Sequence, residues 1–212
     1  MPQAAEERRS TATTIRPEPP VLNVPNQLTL ARFVLALVLF GLIALEYWGW
    51  CLIVFCVAAF TDWLDGYIAR LHNITSTLGR NLDPLVDKLL MCGCYIFLLP
   101  LGTKQGWLMP WMVTVVVGRE MVITSLRSYM ETAGARFGAD WLGKLKMGLQ
   151  CAALIAVFVE LLGRGTWPEA LGFARGWLPW LRDGLIYAML ASTLLSGLQY
   201  LWRAALLYRE SA

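Results

Sequence analysis

Residues 62–87 carry the sequence DWLDGYIARLHNITSTLGRNLDPLVD, with long apolar runs on both sides of it. The stretch contains four aspartates, Asp62, Asp65, Asp83 and Asp87. The first two are three residues apart and the last two are four apart, and both spacings place side chains on one face of a helix. If both halves of the stretch are helical, four carboxylates converge on one spot.

Four carboxylates beside a bilayer need a compensating charge, because an ionised carboxylate there is costly unless it is paired, solvated or bound to a cation. A divalent metal is the expected partner. Oxygen ligands without a His/Cys cluster favour Mg²⁺ or Mn²⁺ over zinc, and two such ions would hold a diphosphate. Gly66 and Gly79 let a bulky ligand approach the backbone, and Arg70 and Arg80 offer cations to anionic oxygens.

The composition indicates a membrane protein. The chain has 212 residues, of which 57% are hydrophobic and 16% charged, and its mean hydropathy is +0.53. Tryptophans such as Trp48, Trp50, Trp107 and Trp111 lie near the ends of apolar runs, where interfacial aromatic belts occur. The net charge of +3 is small and says little by itself, and no nucleic-acid partner is expected.

The apolar runs predict an all-α integral membrane protein, a bundle of six transmembrane helices with its active site on the cytoplasmic face. The six predicted spans are residues 28–47, 50–68, 82–101, 107–129, 143–162 and 184–208, and the longest connection is 163–182. Residues 1–22 are polar and contain Pro17, Pro19 and Pro20, so we expect a disordered cytoplasmic tail before a membrane domain at 23–212.

The distribution of positive charge predicts the orientation. Six spans place both termini on the same side, and Lys and Arg are concentrated in the tail, the second-to-third and fourth-to-fifth connections and the C-terminus. The positive-inside rule makes that side, which also holds residues 62–87, cytoplasmic. The opposite side has fewer cations, among them Lys104 and Arg182.

The cysteines do not indicate a disulfide framework. Five cysteines all lie within apolar runs, and an odd number so placed argues against paired bridges. Cys92 and Cys94 are close in sequence, but we interpret them as small buried side chains rather than metal ligands.

The aspartate stretch has a fixed pattern of identities. It consists of Asp62, two residues, Asp65-Gly66, two residues, Ala69-Arg70, eight residues, Gly79, three residues, Asp83, three residues and Asp87. This pattern resembles the signature of the CDP-alcohol phosphatidyltransferase family in full. The resemblance implies transfer of a phosphatidyl group from CDP-diacylglycerol, with CMP as the leaving group.

The resemblance also implies roles for individual residues. Asp62, Asp65, Asp83 and Asp87 resemble the family's metal site, and Asp87 also resembles its general base, which takes a proton from the attacking hydroxyl. The positions that resemble the lining of the CDP-diacylglycerol site are Gly66, Ala69, Arg70 and Gly79.

The segment before the first span adds three candidates. In NVPNQLTLARF, residues 23–33, either Asn26 or Thr29 is suited to cap a helix, and both are expected at the CDP-diacylglycerol site. Arg32 follows one turn into the apolar helix. It either extends to the lipid headgroups or binds a phosphate.

Cations in the second half of the chain suggest the acceptor. The segments PNQLTLAR, GREMVITSLR at 118–127 and GKLKMGLQ at 143–150 resemble those of bacterial family members that use glycerol 3-phosphate, although Met147 stands where such relatives usually have Thr. The predicted acceptor phosphate-binding residues are Arg119, Arg127, Lys144, Lys146 and Arg32. Alternatively these cations only fix topology, but this explains Arg119 poorly, because it lies about two turns inside a span. Glu120 is expected to pair with it or another cation.

The predicted reaction is therefore transfer of the phosphatidyl group to glycerol 3-phosphate in a bacterial cytoplasmic membrane. A cardiolipin synthase of the same family, with phosphatidylglycerol as acceptor, is the alternative, followed by inositol-phosphate and serine acceptors. A transporter with a cation site at the aspartates is a remote alternative, because transport sites lie near the bilayer midplane and these charges lie toward one face. Membrane lipids are expected partners, and the resemblance implies a homodimer.

Overall fold

The computed structural model describes the backbone of residues 24–72, 77–132, 141–166 and 172–211. Within these ranges, the side chains of 62–84, 165–175 and a few residues near helix ends lie outside the description. The predicted tail, residues 1–22, also lies outside the described residues.

The described chain forms six helices, which confirms the predicted all-α class. In chain order they are α1 (Val24–Ala44), α2 (Trp48–His72), α3 (Thr77–Gln105), α4 (Pro110–Thr132), α5 (Trp141–Thr166) and α6 (Gly172–Ser211). They are long and mainly apolar, as expected where a helix must satisfy its own backbone groups within lipid.

Hydrogen bonds define the short turn between α1 and α2. The Tyr47 N–H donates to the Leu42 carbonyl at 3.0 Å, and the Glu46 N–H donates to the Ile43 carbonyl at 3.1 Å. This pair of bonds is the Schellman ending of a helix, which requires one residue in the left-handed region. Glu46 is that residue, with a φ of 60°. The turn reverses the chain and brings the start of α2 against the end of α1.

The last helix begins earlier than predicted. The sequence places a connection at 163–182, whereas α6 starts at Gly172 and continues through Pro179. Arg182 is therefore not a connection cation but a buried residue of α6, and its Nη1 donates to Glu160 on α5 at 2.9 Å. The prediction was wrong because it took Gly165, Pro168 and Pro179 as marks of a connection, whereas the helix continues through Pro179 and an ion pair lets Arg182 lie inside it.

The core contains contacts from all six helices. Phe55 on α2 meets Phe158 on α5 edge to face, with ring centroids 5.8 Å apart, and Phe40 on α1 stacks on Phe97 of α3 at 4.9 Å. Gly93 allows α1 and α3 to approach closely, because a Cβ there would collide with the Phe40 ring. Helix α6 packs against α4 and α5, and α5 also contacts α2.

Several described segments are suited to a bilayer. Leu85–Gln105, Trp141–Arg164 and Gly176–Leu206 are long and apolar enough to cross, and Thr29–Ala44 and Trp48–Thr61 are shorter apolar helices. Within the described residues α4 meets neither description, and it carries Arg119, Glu120 and Arg127. The apolar helices indicate a multi-pass membrane protein. Crossing by all six helices stays a prediction.

All five cysteines are free, and Cys92 and Cys94 are buried as predicted. Both lie on α3, whose inner face also places the Tyr95 hydroxyl within 3.1 Å of the Gln150 carbonyl of α5. They therefore belong to the packed centre of the bundle.

Candidate active site

The aspartate stretch is helical on both sides of residues 73–76. Helix α2 contains Asp62 and Asp65 in its final turns, and α3 contains Asp83 and Asp87 in its first turns, so the predicted helical spacing is confirmed. The side chains of several predicted site residues lie outside the description. They are Asn26, Asp62, Asp65, Gly66, Ala69, Arg70, Gly79 and Asp83.

Asp87 is held by a buried arginine of α1. The Arg32 Nη1 donates to Asp87 Oδ1 at 2.8 Å. The Arg32 side chain is 1% exposed and that of Asp87 is 26% exposed, so solvent reaches the carboxylate but not the guanidinium. Arg32 therefore does not extend to lipid headgroups, because its partner lies inside the bundle. A charge-assisted bond of this length fixes both groups.

The inner face of α1 leads to this pair. Thr29, Arg32 and Ala36 are all buried and follow one another at the three- and four-residue spacing of one helix face. Thr29 lies one turn before Arg32, on the side of the helix that faces the bundle. The first turns of α1 thus bring a hydroxyl and a guanidinium to the end of the bundle that carries Asp87.

A second polar cluster is centred on Glu120 of α4. Glu120 is buried, and its Oε1 accepts a hydrogen bond from Arg119 Nη1 at 3.2 Å and another from Lys146 Nζ of α5. The predicted pairing of Glu120 with Arg119 is confirmed. One carboxylate therefore holds two cations from neighbouring helices in fixed positions. Cations that only contacted lipid headgroups would not be fixed in this way.

Contacts with α6 orient Arg119 further. Its Nη2 donates to Ser196 Oγ at 2.9 Å, and its guanidinium lies 5.9 Å from the Tyr200 ring centroid. Gly197 lies beside the same side chain, since a Cβ at that position would be 3.4 Å from Arg119 Cγ. A carboxylate, a hydroxyl, an aromatic ring and a glycine together position the guanidinium.

Lys88 belongs to this cluster, although the sequence analysis missed it. The Lys88 ammonium donates to Thr124 Oγ1, and that hydroxyl donates to the Glu120 backbone carbonyl at 2.6 Å. The charges of Arg119 and Asp87 both act on the ammonium. The signal in the sequence was the position of Lys88, which directly follows the last aspartate of the motif.

The other two predicted acceptor cations are exposed. Arg127 lies two turns beyond Arg119 on α4, where its charge acts on Lys88, and Lys144 lies two residues before Lys146 on α5. Two residues along a helix point to different faces, so the burial of Lys146 does not bring Lys144 inward. The structure thus brings Arg119 and Lys146 together and leaves Arg127 and Lys144 at the surface.

Helix α3 joins the two groups of polar residues. It presents Asp87 to α1 and the next residue, Lys88, to α4. Among the described side chains, Lys88, Arg119 and Lys146 surround the Glu120 carboxylate, and Asp87, whose charge also acts on Lys88, is already paired with Arg32. Such an excess of fixed positive charge favours an anion. The geometry therefore suits an anionic group close to the Asp87 carboxylate.

A model of the CDP-alcohol phosphatidyltransferase family matches residues 22–195, a range that includes α1 to α5 and most of α6. The chain belongs to this family. The match contains both polar clusters, since Arg32, Asp87, Glu120 and Lys146 all lie within it. The acidic stretch and the cation cluster are therefore features of one phosphatidyltransferase domain.

Three curated relatives of this chain share one enzyme name. This chain is 34% identical over 158 residues to the CDP-diacylglycerol–glycerol-3-phosphate 3-phosphatidyltransferase of Bacillus subtilis, covering 67% of this chain and 79% of the relative. It is 33% identical over 186 residues to the enzymes of that name from Salmonella choleraesuis and Shigella flexneri, covering 84% of this chain and 93% of each relative.

Phosphatidyltransferases of this family generally use divalent metals, and the residues here fit such an ion. The four aspartates supply only oxygen atoms, which hard divalent cations prefer. The helical backbone places them in the last turns of α2 and the first turns of α3. The remaining ligands would come from the substrate or from water.

Proposed function

We propose that this enzyme transfers the phosphatidyl group of CDP-diacylglycerol to glycerol 3-phosphate and releases phosphatidylglycerophosphate and CMP, as bacterial phosphatidylglycerophosphate synthases do. The observation that carries the proposal is the cation cluster of Lys88, Arg119 and Lys146, which begins one residue after Asp87. An acceptor that has both a hydroxyl and a phosphate fits this arrangement, with the hydroxyl at Asp87 and the phosphate at the cations. The names of the curated relatives support the same acceptor.

The donor site is assigned to the aspartate stretch and the start of α1. Asp62, Asp65, Asp83 and Asp87 would hold two Mg²⁺ or Mn²⁺ ions, which when bound neutralise the diphosphate and polarise it for attack. The residues assigned to the nucleotide and diphosphate are Gly66, Ala69, Arg70, Gly79, Asn26 and Thr29. The burial of Thr29 on the face that also carries Arg32 supports its assignment.

Asp87 is assigned as the general base. As the hydroxyl oxygen of glycerol 3-phosphate forms a bond to the phosphatidyl phosphorus, its proton moves to the Asp87 carboxylate, and the bond from phosphorus to the CMP oxygen breaks. Arg32 keeps the carboxylate in place through its 2.8 Å hydrogen bond. This contact supports a positioning role for Arg32, and its predicted contact with the acceptor phosphate stays a prediction.

The acceptor phosphate is assigned to the buried cations. Arg119 and Lys146 are fixed by Glu120, and Lys88 by Thr124, so little side-chain entropy is lost when they bind a ligand. Arg127 and Lys144 are exposed, so we assign them to the entrance, where they would attract the anion. The site would open to the cytoplasm, with both termini on that side of a bacterial cytoplasmic membrane.

Charge distinguishes glycerol 3-phosphate from the alternative acceptor. The phosphodiester of phosphatidylglycerol carries one negative charge, whereas a phosphate monoester carries nearly two at neutral pH. The excess of cations around Glu120 favours the monoester. A cardiolipin synthase that uses phosphatidylglycerol is thus the second candidate, and it would also need a groove for a second lipid.

The acceptor assay tests this proposal. Purified enzyme with Mg²⁺ or Mn²⁺ and CDP-diacylglycerol is offered glycerol 3-phosphate, phosphatidylglycerol, inositol phosphate or serine, and CMP release is measured. We expect turnover with glycerol 3-phosphate. Release of CMP with phosphatidylglycerol but not with glycerol 3-phosphate would overturn the proposal in favour of the second candidate.

The role of Asp87 is tested by Asp87→Asn, which keeps the shape of the side chain and removes its basicity. We expect turnover to fall by about 10²–10⁴-fold, while CDP-diacylglycerol still binds. The matched control is Asp183→Asn on α6, a carboxylate that accepts a hydrogen bond from Arg182 at the opposite end of the bundle, and it should keep full turnover. Loss of donor binding in Asp87→Asn would instead identify Asp87 as chiefly a metal ligand.

A further inference from the structure

A cleft of about 480 Å³ lies at the end of the bundle opposite Asp87. It is formed by the turn between α1 and α2, the end of α3 and the end of α5. Gln105, on its wall, follows Asp87 by roughly 27 Å along α3, at 1.5 Å of rise per residue. The cleft is thus separate from the proposed active site, and its volume suits a small polar group.

Glu46 gives the cleft an anionic side. It occupies the left-handed position of the Schellman turn, with a φ of 60°, where glycine adopts that conformation without strain. Its side chain is exposed at the cleft, and in the described part of the chain it forms no ion pair. The turn thus holds a charged residue at a conformational cost and places its carboxylate at the cleft.

Aromatic rings lie beside this carboxylate. Tyr47, Trp48 and Trp50 directly follow Glu46 and all line the cleft, and Tyr47 and Trp50 are exposed. The faces of such rings attract ammonium groups, and a neighbouring carboxylate adds to the attraction. This side of the cleft therefore suits a cationic amine.

The opposite wall carries a fixed guanidinium. Arg164 Nε donates to Glu160 Oε1 at 2.7 Å and its Nη1 donates to Gln105 Oε1 at 2.6 Å, yet its side chain is 45% exposed. Gln105 Oε1 also accepts from Trp107 Nε1 at 2.8 Å, so with respect to the described residues the amide N–H groups of Gln105 remain to donate to a ligand. Guanidinium and amide donors together suit phosphate oxygens.

We propose that this cleft binds the headgroup of a zwitterionic phospholipid. The ammonium lies against Glu46 and the aromatic rings, and the phosphate accepts hydrogen bonds from Arg164 and Gln105. Leu161 and Leu162, which also line the cleft, contact the glycerol and the first carbons of the acyl chains. This binding site is independent of the proposed transferase reaction.

Charge complementarity selects this occupant. Glu46 brings to the cleft a carboxylate with no ion pair among the described residues, whereas Arg164, although its charge is balanced by Glu160, still presents the exposed part of its guanidinium as a donor. An anionic lipid would satisfy Arg164 but would place no cation at Glu46. A zwitterionic headgroup satisfies both walls at once.

Lipid binding to the full-length enzyme in detergent tests the proposal. Dioleoyl phosphatidylethanolamine and dioleoyl phosphatidylglycerol are titrated and bound lipid is counted by native mass spectrometry, with wild type and Glu46→Gln compared. Only the lipid binding that Glu46→Gln abolishes is assigned to the cleft. Lipid binding at the active-site end does not involve Glu46 and should persist. We expect this variant to lose about 5–10-fold in affinity for phosphatidylethanolamine, with phosphatidylglycerol unchanged.

Matched variants separate recognition from folding. Trp50→Leu should weaken phosphatidylethanolamine binding, whereas Trp111→Leu, a similarly exposed tryptophan outside the cleft, should not. Glu46→Gly should lose the lipid while raising the melting temperature, because it relieves the left-handed conformation.

Two results would overturn the proposal. One is that Glu46→Gln lowers the affinity for both lipids equally, or lowers the affinity for neither lipid. The other is full displacement of phosphatidylethanolamine by an equimolar amount of soluble glycerophosphoethanolamine, which would identify a free zwitterion and not a lipid as the occupant. Unchanged basal transferase activity in Glu46→Gln is expected in either case, given the separation from Asp87.

Discussion

Two buried glutamates, Glu120 and Glu160, form similar clusters at opposite ends of the bundle. Glu120 on α4 holds Arg119 and Lys146, and Glu160 on α5 holds Arg164 and Arg182 through hydrogen bonds of 2.6–2.9 Å. In each case one carboxylate links two cations that lie on different helices. The two clusters differ in charge balance and in what surrounds them.

The Glu160 cluster is balanced. Arg182 Nε donates to Asp183 Oδ1 at 2.8 Å, so two arginines face two carboxylates, and the Arg182 guanidinium lies 5.0 Å from the Trp107 ring centroid. Each arginine that helix packing buries therefore has a carboxylate partner, which offsets the cost of burying its charge. The cluster therefore joins α5 and α6 as a structural contact.

Counted over the side chains that the structure describes, the Glu120 cluster has more positive charge than its carboxylate balances. Lys88 lies beside Arg119 and Lys146, and the charges of these three cations act on one another. Mutual repulsion between fixed cations is costly unless an anion completes the site. The Glu120 cluster thus differs from the Glu160 cluster in its excess of positive charge, which is the feature that supports the proposed acceptor site.

The largest expected effect is a loss of stability in Glu160→Gln. Without this carboxylate Arg182 remains buried with one ion-pair partner fewer, so we expect the free energy of unfolding in detergent to fall by about 3–5 kcal/mol. Glu46→Gln, an exposed carboxylate at the same end, should change it by less than about 0.5 kcal/mol. Substrate KM values of the folded Glu160→Gln enzyme should match wild type, and altered acceptor KM would show that the clusters are coupled.

The next effect is on acceptor binding in Arg119→Gln. Losing a fixed charge-assisted donor should raise the KM for glycerol 3-phosphate by about 10–100-fold, with the KM for CDP-diacylglycerol changing less than about twofold. Lys144→Gln, which removes an exposed cation, should raise the acceptor KM less. Steady-state kinetics with each substrate varied in turn separates these effects. Equal increases for donor and acceptor would argue against an acceptor site at this cluster.

The smallest effect concerns the position of the Arg119 side chain. In Gly197→Ala the new Cβ would be 3.4 Å from Arg119 Cγ, at the near limit of ordinary van der Waals contact, so the side chain needs at most a slight adjustment. We expect the acceptor KM to rise by about two- to fivefold with little change in melting temperature. Gly184→Ala on the same helix is the control, since its new Cβ meets nothing within 4 Å. The same KM change in both variants would attribute the effect to α6 as a whole.

The fold was largely predictable because apolar length and helical spacing determine it. The six helices follow the six apolar runs, and Asp83 and Asp87 lie on one helix as their spacing predicted. The start of α6 was not predictable in this way. Arg182 resembled a residue of a connection until Glu160 was found to pair with it, and that pairing depends on how α5 and α6 pack.

The candidate site was predictable only in part for the same reason. The sequence singled out Arg119 and Lys146, but it treated Lys144 as their equal, because it does not show which face of α5 points inward. It left open whether Arg32 faces lipid or a phosphate, and its observed contact, Asp87, lies 55 residues away in the sequence. Contacts of this range arise from packing and have no local pattern.

The adjacency of Asp87 and Lys88 on α3 has a consequence for acceptor size. Consecutive residues on a helix point about 100° apart, so one rigid helix sets the separation between the carboxylate facing α1 and the ammonium facing α4. In the proposed mechanism these two groups receive the two ends of the same small molecule. The fixed separation on helix α3 then selects acceptors by the number of bonds between their hydroxyl and their phosphate.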